Sequence, residues 1–319
     1  MTKKASGMLR GPMTFTLFPE SRLALATDSL AGLSVGDALG AQYFVPGNAA
    51  ADLARGDLPT PPWPWTDDTE EACCLVAVLT GSDELSFDRD RFADLLSEQF
   101  DAYRGYGPGA VVMLRQIREG TPWPIAAAAA FDGQGSAGNG AAMRAAPLGA
   151  WHADSLAHAA AQAVRAAEVT HAHPEGIAGG VAVAVAAAMA AAARLDGHRP
   201  PAGQLLAAVA GLVTPGHVQD GLRRAVRIKD AAEAAYELGT GSRAMAQDSV
   251  PFAIWVAAQH LDNYPAAITA CVAGGGDVDT TAAMAGGIVA AYTGVDGIPA
   301  AWLAAREPLP KWVAASREG

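Results

Sequence analysis

Cysteine is scarce, and its spacing excludes two architectures at once. Only three occur in 319 residues, Cys73 and Cys74 side by side and Cys271 far downstream. They supply neither a disulfide framework nor the paired spacing of a zinc site. They read instead as small apolar fillers in a reducing cytoplasm. Positive charge is also short: 22 Lys and Arg stand against 33 Asp and Glu, a net charge of -11. That balance excludes a general nucleic-acid-binding surface, although a metal-loaded site in an acidic enzyme still accepts an anionic ligand. Period-two alternation bounded by turns is nearly absent, no repeat of solenoid period stands out, and no Ser/Gly/Pro linker divides the chain. The longest apolar run, 177–193, is mostly alanine with Gly179 and Gly180 near its start. Alanine gains little from lipid, so this run reads as a buried core helix and no membrane span is expected. Residues 1–20 mix Lys3, Lys4, Gly7, Gly11, Pro12 and Pro19 without a sustained apolar stretch, which reads as a loose leader and not a signal peptide.

What the chain does have is apolar residues at helical spacing. Hydrophobic residues make up 51% of it and charged residues 17%, enough to bury a large core. Leu23, Ala26, Leu30 and Leu33 follow the three-four spacing of one helical face, and four residues further on that stripe stands Asp37. A solvated aspartate would avoid this inward position. A second helix carries Ala72, Leu75, Val76 and Leu79 and stops at Gly81, with Asp68 on the same stripe. Further helices are expected near 88–104, 109–119, 155–170, 176–195, 202–213, 222–238, 250–261 and 265–273, and a last long one from about Asp279. Ser155 before an alanine-rich run, and Gly120, Gly197 and Gly294 after others, are cap residues. The expected fold is all-α, with one domain over 21–319. Two stretches depart from the helical pattern: 46–64, rich in Pro, Gly and Asp, and the glycine-rich loop 131–140. Such a loop lets backbone approach a ligand and offers amide N–H groups to phosphate.

Two acidic clusters stand out, Trp65-Thr66-Asp67-Asp68-Thr69 and Gly276-Asp277-Val278-Asp279-Thr280-Thr281. Both set two carboxylates and threonine at a helix start beside an apolar face. Buried carboxylates must be paired, hydrogen-bonded or metal-bound, and an oxygen-only donor set suits Mg²⁺, Mn²⁺ or Ca²⁺ rather than zinc. Each cluster taken alone also reads as an ordinary helix cap. Meeting in space, they would form a two-metal site. Asp37 is a further inward acid, either part of such a site or an anchor for a loop. His171 and His173 are two apart at a helix end, so they suit a ligand-contacting imidazole or charge neutralisation at the helix terminus better than zinc. Arg144 and Asn139 flank the glycine-rich turn, and Arg144 reads equally as a phosphate contact or as the partner of an acid.

The order of these pieces is more specific than any one of them. Gly-Leu-Ser-Val-Gly-Asp-Ala-Leu-Gly (32–40), Trp-Thr-Asp-Asp-Thr (65–69), Gly-Asn-Gly-Ala-Ala-Met-Arg (138–144), Thr-His-Ala-His-Pro (170–174) and Gly-Gly-Asp-Val-Asp-Thr-Thr-Ala-Ala-Met-Ala-Gly (275–286) follow in sequence. The chain resembles the ADP-ribosylglycohydrolase family from about residue 23 to about 305. The resemblance implies a compact orthogonal helix bundle that carries two Mg²⁺ (or Mn²⁺) ions and binds ADP-ribose or an ADP-ribosylated substrate. It implies Thr66, Asp67, Asp68, Asp277, Asp279 and Thr280 as metal ligands, with Asp67, Asp68 and Asp279 central to catalysis. Ser136, Gly138 and Asn139 match the phosphate-and-ribose loop, His171 lines the cleft, and Asp37, Phe44 and Arg144 join the substrate side. The implied reaction is metal-assisted attack of water on the anomeric carbon of the distal ribose. The sequence departs from the family at two positions: Phe44 aligns where members commonly have a glutamate, and Ala137 where an aromatic residue is frequent. Those departures keep a second reading open, an ADP-ribose-binding relative without turnover. A third is a divalent-metal hydrolase acting on an unrelated nucleotide or sugar.

Overall fold

The structure, a computed structural model, describes residues 16–81 and 85–315, so residues 1–15 of the expected leader lie outside the described residues. Among the described residues every extended element is helical. The chain opens with α1 (Pro19–Ala41), a 3₁₀ turn (Gln42–Phe44), α2 (Ala50–Arg55), α3 (Asp67–Thr80) and α4 (Arg89–Gln99). Then come a 3₁₀ turn (Ala102–Arg104), α5 (Pro108–Arg118), α6 (Trp123–Gly133), α7 (Gly140–Met143), α8 (Ala146–Trp151), α9 (Leu156–Glu168) and α10 (Pro174–Leu195). The C-terminal part holds α11 (Ala202–Leu212), α12 (His217–Ala225), α13 (Ala231–Leu238), α14 (Ala246–Gln259), α15 (Tyr264–Gly274) and α16 (Val278–Thr293). A 3₁₀ turn (Val295–Gly297), α17 (Ala300–Ala305) and α18 (Lys311–Ala315) complete it.

The pairing of α1 with α16 sets the geometry of the whole molecule. Gly32, Gly36 and Gly40 recur every fourth residue along one ridge of α1. A Cβ on Gly36 would lie 2.2 Å from the Ala282 carbonyl oxygen, and one on Gly40 would lie 2.7 Å from Asp279 Cα. On α16, a Cβ at Gly286 would meet the Gly32 carbonyl oxygen at 2.5 Å. The absence of side chains along this seam lets the two backbones touch. The Ser29 hydroxyl ties them further by donating to the Gly287 carbonyl at 2.9 Å. Beside the seam Leu30, Leu33 and Leu39 are buried, each contributing about 1.5–3 kcal/mol of apolar transfer energy. α10 runs through the centre against α8, α9, α14 and α16. It is the one described helix long and apolar enough to cross a membrane, and most of it is buried inside the fold.

Some boundaries differ from the sequence reading. Pro19 and Glu20, expected in the leader, are the first residues of α1, where a proline at the helix start costs no hydrogen bond. The single helix expected over 222–238 is two, α12 and α13. The break ends at Asp230, whose carboxylate caps α13 by accepting from the amides of Ala232 and Glu233, and the Trp255 indole N–H takes the free Ile228 carbonyl. The helix expected over 88–104 stops at Gln99, because the Asp101 amide donates to Glu70 Oε2 instead of continuing the ladder. The 46–64 stretch contains the short α2. α6 leaves helical geometry at Ala130, where the expected glycine-rich loop begins.

Candidate metal centre

The inward position of Asp37 on α1 is what fixes the start of α3. Asp37 is fully buried, and its Oδ2 accepts from the amides of Thr66 at 2.9 Å and Thr69 at 3.2 Å and from the Thr69 hydroxyl. Its Oδ1 lies 2.8 Å from the Thr66 hydroxyl, which also reaches Asp68 Oδ2 at 2.9 Å. The carboxylate therefore serves as an extra cap for α3 and pins the Thr66-Asp67-Asp68 turn to the first helix. Of the two roles open to Asp37 in the sequence, member of the acidic site and anchor of a loop, its hydrogen bonds and its place in the cluster show both.

The second motif arrives on α16 through the glycine seam. Asp37, Asp68 and Asp279 each bring a carboxylate oxygen within 4.8 Å of the others. The Thr280 hydroxyl lies 3.4 Å from Asp68 Oδ2, and the Thr280 amide donates to Asp279 Oδ1 at 2.8 Å. Asp277, half-buried at the N-cap, accepts from the Asn139 side-chain amide at 2.7 Å. The two acidic motifs thus meet, and the metal-site alternative left open at the sequence level gains its geometry. Asp67, Asp68 and Asp279 are all held well above the ordinary carboxylate range, by burial first and then by the neighbouring carboxylates. Burial raises Asp277 as well, and it pushes Asp37 to about 6 against the threonine hydrogen bonds. Asp68 Oδ1 is buried with no hydrogen-bond partner. A buried carboxylate oxygen without a partner, on an aspartate clustered with two further acids, could be satisfied by a cation. The donors are all hard oxygens, which fit Mg²⁺, Mn²⁺ or Ca²⁺.

Beside the acids lies the glycine-rich loop. The Ser136 hydroxyl accepts from the Gly138 amide at 3.2 Å. The Asn139 amide donates to the Ala244 carbonyl at 3.1 Å, and the Ala246 amide to the Ala137 carbonyl at 3.0 Å. The segment 239–245 therefore bridges the loop to the second motif, because the Thr240 carbonyl accepts from the Asp277 amide at 2.9 Å. Gly241, at φ +90°, leaves room where a Cβ would come within 2.5 Å of the Asp277 Cβ. The sequence reading missed this bridge. Its only signal was Gly239-Thr240-Gly241, which reads as an ordinary loop. Phe131 was also missed as a candidate: it stands exposed at the head of the loop with φ 54°, unusual for a bulky residue.

His171 is buried against this loop, 3.7 Å from where a Cβ on Gly138 would sit. Burial, with Arg144 nearby, lowers its pKa to about 3, so the ring is neutral. Arg144 takes the second of its two sequence readings. It is fully buried and paired with Glu71, which leaves no guanidinium surface for a phosphate. Its expected place on the substrate side is corrected on that ground. Phe44 ends the 3₁₀ turn after α1 and is 54% exposed, so no carboxylate stands at that position.

Comparison with known proteins bears on this arrangement directly. The family model for ADP-ribosylglycohydrolase matches residues 19–317. The human ADP-ribosylhydrolase ARH3 is 30% identical over 275 residues, covering 75% of this chain and 73% of its own length. The ADP-ribosylarginine hydrolase Tri1 of Pseudomonas putida (strain GB-1) is 27% identical over 318 residues, covering 90% of this chain and 76% of its own. A solved structure described as an ADP-ribosylglycohydrolase-related protein complex superposes with a TM-score of 0.61 at 25% identity, covering 93% of this chain and 97% of that one. With two acidic motifs joined across a helix seam and a family match running almost end to end, the chain belongs to the ADP-ribosylglycohydrolase family and is a glycohydrolase.

Proposed function

We propose that this chain is a Mg²⁺-dependent ADP-ribosylhydrolase that cleaves the C1″ glycosidic bond between ADP-ribose and an acceptor. The observation that carries the reading is Asp68: one of its carboxylate oxygens is buried without a partner, and the residue clusters with Asp37 and Asp279. Thr66, Asp67, Asp68, Asp277, Asp279 and Thr280 would hold two Mg²⁺ (or Mn²⁺) ions. Bound there, the ions would supply Lewis acidity toward a water and toward ribose hydroxyls. The chain's own residues do the rest. Asp37 keeps the α3 turn in place, and Asn139 orients Asp277 through its amide hydrogen bond. The carboxylates favour the positive charge that grows on the sugar as its glycosidic bond loosens. The Ser136 hydroxyl accepts from the Gly138 amide and keeps its own hydrogen for the diphosphate, and exposed Phe131 offers a ring face to a base. The buried, unpaired cysteines suit a reducing compartment, and a cytoplasmic location is part of the same proposal.

Phe44 bears on the acceptor. A phenyl ring cannot assist by proton transfer, but it can exclude water and accept a flat group better than a long charged side chain. Weak cleavage of ADP-ribosylarginine, with turnover on another acceptor, follows. The second reading, an ADP-ribose binder without turnover, stands against the family's hydrolase assignment and is the outcome the assay is expected to exclude. Product analysis separates them: protein is incubated with ADP-ribosylated arginine, serine and nucleic-acid substrates, in Mg²⁺ and in chelator. Release of free ADP-ribose only in Mg²⁺, from at least one substrate, is expected. Binding without release from any of them would select the second reading, and neither binding nor release would end both.

A further inference from the structure

A buried chain of four side chains runs from the first acidic helix to His171. Glu71, three residues beyond Asp68 on α3, pairs with the Arg144 guanidinium, and both are almost fully buried. Arg144 Nη2 donates to the Ala166 carbonyl at 3.2 Å and to the Thr170 hydroxyl oxygen at 2.8 Å. The Phe92 ring backs the guanidinium at 5.0 Å. Thr170, itself buried, stands 2.7 Å from His171 Nδ1.

Proton accounting gives these contacts a direction. A guanidinium has donors only, so Arg144 uses a lone pair of the Thr170 oxygen. The one hydrogen of Thr170 then has His171 Nδ1 as its acceptor in reach. The reverse arrangement, with Nδ1–H donating to Thr170, would leave a buried hydroxyl hydrogen without any acceptor. Nδ1 is therefore bare and the hydrogen resides on Nε2. That atom lies 3.4 Å from where a Cβ on Gly140 would sit and has no hydrogen-bond partner among the described residues.

We propose that Glu71, Arg144 and Thr170 are positioning residues that hold His171 as the Nε2–H tautomer, a neutral donor presented beside the glycine-rich loop to the ligand's anionic oxygens. With the other tautomer, the Nε2 lone pair would face those oxygens and repel them. The inference rests on the proposed function for what occupies the loop, but the tautomer itself does not.

Imidazole ¹⁵N spectra of the full-length protein without ligand test the tautomer. Wild type is expected to show a bare Nδ1 and a protonated Nε2 for His171, with its resonances assigned by their loss in His171→Gln. Thr170→Val, which keeps the shape and removes the hydroxyl, is expected to mix the tautomers, and Thr170→Ser to restore the wild-type spectrum. Titration of ADP-ribose in Mg²⁺ is expected to give about tenfold weaker affinity for Thr170→Val, the scale of one hydrogen bond to a charged group. Thr170→Ser is expected to recover most of that loss, and Mg²⁺ affinity to stay unchanged in both. Circular dichroism separates this from misfolding, and if Thr170→Val fails to fold, the wild-type spectrum still decides. An Nδ1–H tautomer in wild type, or wild-type affinity and tautomer in Thr170→Val, would overturn the proposal. If wild type binds no ADP-ribose, the proposed function fails while the spectrum continues to judge the relay.

Discussion

Gly36→Ala tests the link between helix packing and the acidic site. The added methyl would lie 2.2 Å from the Ala282 carbonyl oxygen and 2.7 Å from its carbon. Carbon and oxygen normally approach to about 3.3 Å, so α1 and α16 must part locally by about 1 Å. Both contact atoms are backbone, and a rotamer change cannot relieve them. Overpacking of this kind costs about 1–3 kcal/mol. The strain falls next to Asp37, whose carboxylate anchors the first motif, so the distance between the two motifs should grow with it. Thermal unfolding in chelator and in Mg²⁺ is the assay. The variant is expected to melt several degrees lower in chelator and to gain less from Mg²⁺ than wild type does. Gly211→Ala is the control: it lies in α11 with nothing within 4 Å of an added Cβ, and it should be neutral or stabilising by about 0.4–1 kcal/mol. A Gly36→Ala protein with wild-type melting and an undiminished Mg²⁺ response would refute the reasoning.

Other outcomes follow from the charges. Asp68→Asn removes one of the mutually repelling buried carboxylates, so in chelator it should melt no lower than wild type, while the stabilisation by Mg²⁺ should vanish; a persisting shift would remove Asp68 from the ligand set. Asp37, at about 6 in the fold against an unfolded value of about 3.9, binds more protons folded than unfolded between those values. Stability in chelator should therefore fall as pH rises through that window, and Mg²⁺, which competes with those protons, should raise the melting temperature more at pH 7.5 than at pH 5. His152 is buried with both ring nitrogens unpartnered and its pKa is pushed down to about 3. The folded state then binds fewer protons below the ordinary value of about 6.5, and stability drains away as pH falls from there. His152→Phe should accordingly raise the melting temperature more at pH 5 than at pH 8, by differential scanning calorimetry. Phe44→Glu should increase cleavage of ADP-ribosylarginine; fast wild-type cleavage unchanged by that substitution would show that position 44 does not govern the acceptor.

Much of the site was legible because burial and chemistry conflict there. Asp37 and Asp68 fall on apolar stripes, and an acid on a core stripe calls for a partner even before the fold is known. The helices with long periodic faces were readable for the same reason. Other features depend on distant pairing. Arg144 could have met a phosphate or an acid, and its partner Glu71 is 73 residues away. The glycines at 32, 36 and 40 read locally as poor helix formers, and only α16 reveals them as a contact ridge. The break between α12 and α13 was hidden by continuous amphipathic composition, and α7 and α8 are too short for a period to register. The 239–245 bridge works through backbone carbonyls, which side-chain motifs do not encode.

Calorimetric titration of ADP-ribose into the protein, in Mg²⁺ and then in chelator, bears most directly on the claim that the joined acidic motifs hold divalent ions which receive the ribose. Saturable binding with one ADP-ribose per chain is expected in Mg²⁺, with loss of measurable heat in chelator and in Asp279→Ala. Equal affinity in Mg²⁺ and in chelator would contradict it.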